Sequence, residues 1–162
     1  SLFDKEGATL VEGIVAKAKA NNVKLHFPTD YKIADQFSKD AKADSATDAK
    51  GIPEGWMGFD IGEQTVADFT AAILAAKTIM WNGPMGVFEF PAFSSGTKQV
   101  LEAVVKATES GAQTIVGGGE TATCCIEWGA AKKVTHVSTG GGASLELLEG
   151  KILPGVKALT DK

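Results

Sequence analysis

Two glycine triplets near the end of the chain carry the clearest chemistry: Gly117-Gly118-Gly119 after Thr114-Ile115-Val116, and Gly140-Gly141-Gly142 after His136-Val137-Ser138-Thr139. Each follows a short β-branched run and precedes a helix-forming stretch. A strand that turns tightly into a helix leaves the first backbone N–H groups of that helix without partners. Those donors and the positive end of the helix dipole attract anions. Glycine removes the Cβ atoms that would hold a phosphate away from the backbone. Two such turns on neighbouring parallel strands face one crevice at the strands' carboxyl ends. The pattern therefore points to a pocket for the phosphates of a nucleotide.

Other motifs narrow this. Residues 117–122 match G-x-G-x-x-A, the looser dinucleotide fingerprint, but the acidic residue expected about 20 positions on is missing, since that region reads His136-Val137-Ser138. No G-x-x-x-x-G-K-[ST] occurs, so there is no P-loop. No lysine follows either triplet, which leaves backbone amides and the hydroxyls of Thr121, Thr123 and Ser144 to meet a polyphosphate. Neutralising the transferring charge then needs a metal or a cation from elsewhere. Glu120 at the start of the helix is either a ligand for Mg²⁺ or a plain first-turn carboxylate favoured by the dipole. In Trp81-Asn82-Gly83-Pro84-Met85-Gly86-Val87-Phe88-Glu89, Asn82 can reach a phosphate or ribose oxygen and Glu89 can accept from ribose hydroxyls; the alternative is a turn with a polar rim. Leu2, Phe37, Phe59 and Val87 are either an apolar slot for a base or ordinary core. Cys124 and Cys125 fall in the first turns of a helix, where a thiol pKa tends to drop, or are small buried hydrophobes. His26 and His136 read as structural.

The elements that must position these groups follow from periodicity. Asp4 reads as an N-cap, and Leu10, Val11, Ile14, Val15 and Ala18 recur at helical spacing up to Asn21-Asn22. Short extended pieces are expected at 23–27 and 30–35. Residues 38–50 read as a surface excursion and 51–60 as a turn-rich stretch. Helices are expected at 63–77 and 95–109, a strand at 78–81, and a short helix through Trp128 after the first triplet. The tail around Pro154 reads as weakly ordered. Strands alternating with helices predict an α/β domain with a parallel sheet and helices on both faces.

The 162 residues are 44% hydrophobic and 22% charged, with a formal net charge of −4, a composition suited to a globular core and unsuited to sequence-independent nucleic-acid binding. No apolar run approaches the roughly 18 residues of a membrane helix. No basic-then-apolar leader opens the chain, and the adjacent cysteines, unable to pair with each other, fit a reducing compartment. The first residue is not Met, as expected for a processed product or a fragment.

The stretches 81–89, 117–123 and 136–150, with Ser1-Leu2-Phe3-Asp4 and Gly51-Ile52-Pro53, closely resemble the phosphoglycerate kinase family, in order and over essentially the whole chain. The resemblance implies residues 1–162 to be the later part of a C-terminal, Rossmann-like three-layer nucleotide-binding domain. It also implies absence of the first strands of that domain, with their glycines and lysine, and of the N-terminal phosphoglycerate-binding domain with its catalytic arginine. It implies phosphoryl transfer between 1,3-bisphosphoglycerate and ADP, giving 3-phosphoglycerate and ATP, with Mg²⁺, in a cytoplasmic, monomeric, hinge-closing parent enzyme. Leu2, Phe37, Gly58, Phe59 and Val87 would hold the adenine. Asn82 would approach the phosphate chain, and Glu89 the ribose. Gly118, Gly119, Glu120 and Thr121 would meet phosphates and metal, and Gly140, Gly141 and Gly142 the phosphoryl group in transit. The hinge would lie near Ser138-Thr139 and the tail. The family usually has Asp where this chain has Glu120. Nucleotide, phosphoglycerate and the rest of the polypeptide are the implied partners, the alternative being a stand-alone nucleotide-binding or structural fragment.

Overall fold

The structure is a computed structural model, and it describes residues 1–138 and 140–159. Asp4 starts α1 (Lys5–Ala8) as expected, accepting from the amides of Glu6 and Gly7 at 3.1 and 2.9 Å. Then α2 (Val11–Ala20) runs to Asn21, where Asn22 takes a left-handed φ of 55°. The apolar stripe of α2 is uncovered among the described residues: it has no buried residue, and Leu10, Val11, Ile14 and Val15 are exposed.

Residues 23–27 do not form the expected strand. No described strand pairs with them, although His26 shares a groove with Ile79 and Met80 of β4, and a strand without a ladder leaves its backbone to water. Instead β1 (Asp30–Ala34) is the centre of an antiparallel sheet, flanked by β2 (Ala43–Thr47) and β3 (Met57–Ile61). The segments read as a surface excursion and a turn-rich stretch thus each contain a strand. Only Ala46 is buried in β2, whose Ala-Asp-Ser-Ala-Thr sequence lacks the bulky residues that mark strands.

The α/β part follows. After α3 (Glu63–Ala75), β4 (Thr78–Asn82) leads to a 3₁₀ turn at Pro91–Phe93 and then to α4 (Ser95–Glu109). Next come β5 (Gln113–Gly117), α5 (Gly119–Glu127), β6 (His136–Ser138), α6 (Gly141–Leu148) and a final helical turn, α7 (Pro154–Lys157), within the tail. Strands β4, β5 and β6 form a parallel sheet in that order. This is the α/β, Rossmann-like arrangement expected, with a sheet small for its class.

The main core lies between α4 and this sheet. Val100, Leu101 and Val104 of α4 meet Trp81 of β4 and Val116 of β5, with Ile61, Val66 and Cys125 closing the cluster. Each such aliphatic burial is worth about 1.5–3 kcal/mol. A second cluster, Ala34, Phe59 and Phe93, ties the antiparallel sheet to the 3₁₀ turn.

Candidate functional site at the strand ends

The register sets Asn82 against Gly117 and Gly117 against Ser138, so the carboxyl ends of three parallel strands stand abreast. From there the chain bends into α5 and α6, and the two bends touch. A methyl group at Gly141 would lie 2.6 Å from both Cα and N of Gly118. Gly118 itself has φ 88°, a conformation suited to glycine, and a methyl there would meet Asn82 Oδ1 at 2.2 Å. The Asn82 side chain thus lies across both bends. Among the described residues none accepts from the N–H groups of Gly119, Glu120 or Thr121, the first turn of α5. Gly119 and Glu120 are exposed, Thr121 is buried, and both bends lie at one end of the sheet.

The loop after β4 is held from three sides. Gly83 N–H donates to Thr121 Oγ1 at 2.7 Å, and Gly83 O accepts from Trp81 Nε1 at 2.8 Å. Met85 N–H donates to the buried Thr97 Oγ1 at 3.1 Å, and Val87 N–H to Phe59 O at 2.8 Å. Gly86 rests on β3, where a methyl would come 2.3 Å from Phe59 O. Beneath it Asp60, 4% exposed, accepts from Gly96 N–H at 2.8 Å and Ile61 N–H at 2.9 Å. Burial pushes the Asp60 carboxyl up, and those two amides with the charge of Lys32 offset only part of the rise.

Some of the residues singled out from sequence line two grooves, whereas Asn82, Gly118 and the second glycine triplet line neither. Gly58, Phe59 and Val87 line one of about 360 Å³ with Ile52, Met85 and Gly86. Phe37 stacks outside it, 5.5 Å from Phe59 and 5.2 Å from Phe90 by ring centroids, and is 69% exposed. Leu2 is fully exposed and lines neither. Glu89, Gly119, Glu120 and Thr123 line the second groove, of about 810 Å³, with Phe88, Lys98 and Trp128. Thr121 is buried beneath this groove as a strut to Gly83 rather than on its wall. The hydroxyls of Thr123 and Ser144 donate back to Gly119 O and Gly140 O at 2.9 and 3.2 Å. Gly141 is buried between the bends, whereas Gly140 and Gly142 are exposed. Thr139, half of the proposed hinge, lies outside the described residues.

Cys124 and Cys125 are free thiols, both fully buried. Burial pushes both up, Cys124 to about 11, so the lowered pKa that a helix start suggests is overturned by desolvation. His26 and His136, read as structural, are both exposed. Sequence reasoning missed Asp60, Thr97, Lys98 and Trp128. Thr97 and Lys98 follow the buried Gly96 at the start of α4, a position that helical spacing alone does not aim at the strand ends.

Glycine-lined bends at the carboxyl ends of adjacent parallel strands, with unpartnered helix amides, define a member of the Rossmann-like α/β class. The sequence model described as Phosphoglycerate kinase matches residues 1–151. The chain is 61% identical over 162 residues to a phosphoglycerate kinase of Yarrowia lipolytica, covering all of this chain and 39% of that protein. It is 57% identical over 161 residues to phosphoglycerate kinase 2 of Sus scrofa, again covering 39% of it and 99% of this chain. Its fold matches the structure of phosphoglycerate kinase from Coxiella burnetii with a TM-score of 0.88 at 41% identity, over 97% of this chain and 39% of that one. The chain belongs to the phosphoglycerate kinase family. It spans 39% of the length of these relatives.

Proposed function

We propose that these residues form much of the nucleotide site of a glycolytic phosphotransferase that moves a phosphoryl group between 1,3-bisphosphoglycerate and ADP. The observation that carries this reading is the contact of the two glycine bends, Gly141 against Gly118, with Asn82 across both. In the forward direction the acyl-phosphate bond to the C1 carboxyl oxygen breaks and a bond to a terminal oxygen of ADP forms, leaving 3-phosphoglycerate and ATP. The chain's part is positioning and electrostatics.

Gly58, Phe59 and Val87 take the adenine, with Phe37 as its outer wall and Leu2 brought to that wall by the bound base. Glu89 accepts from the ribose. The amides of Gly118, Gly119, Glu120 and Thr121 meet the phosphates, with Asn82 beside them. The backbone of Gly140, Gly141 and Gly142 lies along the phosphoryl group in transit. Among the described residues no group of three His, Cys, Asp or Glu can hold a metal. Mg²⁺ would be held by the Glu120 carboxylate at the start of α5, beside the phosphates. When bound, the ion neutralises charge on the phosphates.

The exposed stripe of α2 and the outer edge of β4, unpaired among the described strands, favour dependence on further polypeptide, which we propose is the remainder of a cytoplasmic, monomeric enzyme. None of the helices in the described residues is long and apolar enough to cross a membrane. The test is calorimetric titration of the complete polypeptide and of residues 1–162 alone with Mg-ADP, beside a turnover assay. The complete polypeptide is expected to bind and turn over, and the 162-residue piece to show no turnover. Turnover by the isolated piece, or no ADP binding by the complete polypeptide, overturns the reading.

A further inference from the structure

The two glycine bends supply no cation, yet α4 brings one to their side. Lys98 lines the same groove of about 810 Å³ as Gly119, Glu120 and Glu89, and is the sole cationic side chain on its wall. Its ammonium lies 5.2 Å from the centroid of the Trp128 ring. Trp128 is braced in turn by Phe88, edge-on at 6.1 Å. Three carboxylates share the groove, Glu89, Glu120 and Glu127, but none forms an ion pair with Lys98; among the described residues the single ion pair is Lys151 with Glu149. An aromatic face steadies an ammonium without consuming its three N–H donors or cancelling its charge. The three carboxylates otherwise make the wall repel a polyphosphate.

We propose that Lys98, seated on Trp128, is the cationic contact that these residues themselves contribute to the phosphate end of the nucleotide, beside any supplied by the rest of the polypeptide. The inference rests on the nucleotide reading above and adds to it the charge that the glycine loops lack. The competing role is structural, a lysine whose methylene stem covers Trp128 while its charge stays in water. The two differ in what they sense. A phosphate contact scales with the number of phosphates and weakens with salt, whereas a packing role treats all ligands alike.

The experiment uses the complete polypeptide with Lys98→Met and Lys98→Arg, titrated with adenosine, AMP and Mg-ADP at low and raised salt. A charged hydrogen bond, discounted for exposure, sets the expected loss for Mg-ADP in Lys98→Met at roughly 5- to 20-fold. Adenosine affinity is expected to stay within about twofold, and the salt dependence of Mg-ADP binding to become shallower. Lys98→Arg restores most of the affinity, because it keeps the charge and the aromatic seat. Equal losses for adenosine and Mg-ADP, or an unchanged Mg-ADP affinity and salt dependence, overturn the proposal while leaving the nucleotide reading standing. Failure of the unmodified polypeptide to bind Mg-ADP overturns both.

Discussion

Gly141 and Gly142 adjoin in sequence and differ in what surrounds them. A methyl at Gly141 enters the backbone of Gly118, while one at Gly142 meets nothing within 4 Å. Gly141→Ala therefore has to push two helix starts apart. We expect a cost of about 1–3 kcal/mol in urea unfolding, together with lost nucleotide affinity. Gly142→Ala sits in the first turn of α6, where alanine is the better helix former, and is expected to leave stability unchanged or raised by up to about 1 kcal/mol. If Gly142 lies against the transferring group, Gly142→Ala slows turnover without loss of stability, so urea midpoints and rates measured on the same two variants separate fold from chemistry. The triplets themselves were legible because three successive glycines between a β-branched run and a helix have few other uses. Which glycine of a triplet is sterically required was not, since that depends on the neighbouring bend, reached only through the sheet register. Of the two readings offered for Cys124 and Cys125, burial favours the small buried hydrophobe over the reactive thiol.

At the scale of elements, two helices take their N-terminal caps from strands far away in sequence. The N-cap of α3 is Gly62, which has no side chain to offer, and Asp30 of β1 accepts from Gln64 N–H at 3.0 Å and Thr65 N–H at 2.8 Å in its place. For α4, Ser94 makes no side-chain cap bond, and Asp60 of β3 serves Gly96. Both helices were readable from their apolar spacing, yet neither cap was, because the carboxylate lies more than thirty residues upstream. Of the strands carrying those carboxylates, β1 matches the extended piece expected at 30–35, whereas β3 lies in the stretch read as turn-rich. Their sheet is held by pairing rather than by a run of bulky residues, and the stretch with the better apolar pattern, 23–27, has no described neighbour to pair with. Partial burial pushes the Asp30 carboxyl up, but the Thr65 hydroxyl and the amides of Thr65 and Gln64 outweigh it and hold the carboxyl below its ordinary 3.8. A depressed carboxyl stabilises the fold above its unfolded value, and that contribution fades as pH falls through the folded value. Asp30→Ala is expected to cost about 1–2 kcal/mol at neutral pH, the range for a lost helix cap. Urea unfolding of both proteins from pH 7 down to pH 3 should show the gap constant above about pH 5 and narrowing below about pH 4. A gap that widens in acid would contradict the assignment.

For the molecule as a whole, two surfaces decide how these 162 residues behave on their own. The first is the stripe of α2, where Leu10, Val11, Ile14 and Val15 are all between 42% and 63% exposed, with Val23 and Phe27 beyond the helix end at 56% and 64%. The second is β4, which pairs with β5 on one side and with no described strand on the other, beside an apolar groove lined by Phe69, Ile73, Ile79 and Val104. An unpaired parallel edge beside an apolar groove is a template for another chain, and a contiguous apolar patch on a free surface drives association. The fold nevertheless has a core of its own between α4 and the sheet, so the two features pull apart: the chain can collapse around Val100, Val104, Trp81 and Val116 while leaving its rim sticky. Residues 1–162 expressed alone are expected to elute from a sizing column well above the position of a 16.8 kDa monomer and to bind an apolar dye, with helix signal retained. If the complete polypeptide covers α2 and the β4 edge, it should do neither. Charged substitutions on the stripe, Val11→Lys with Ile14→Glu, should shift the isolated piece toward monomer and destabilise the complete polypeptide. A monomeric, dye-silent piece without those substitutions would mean that these surfaces need no cover.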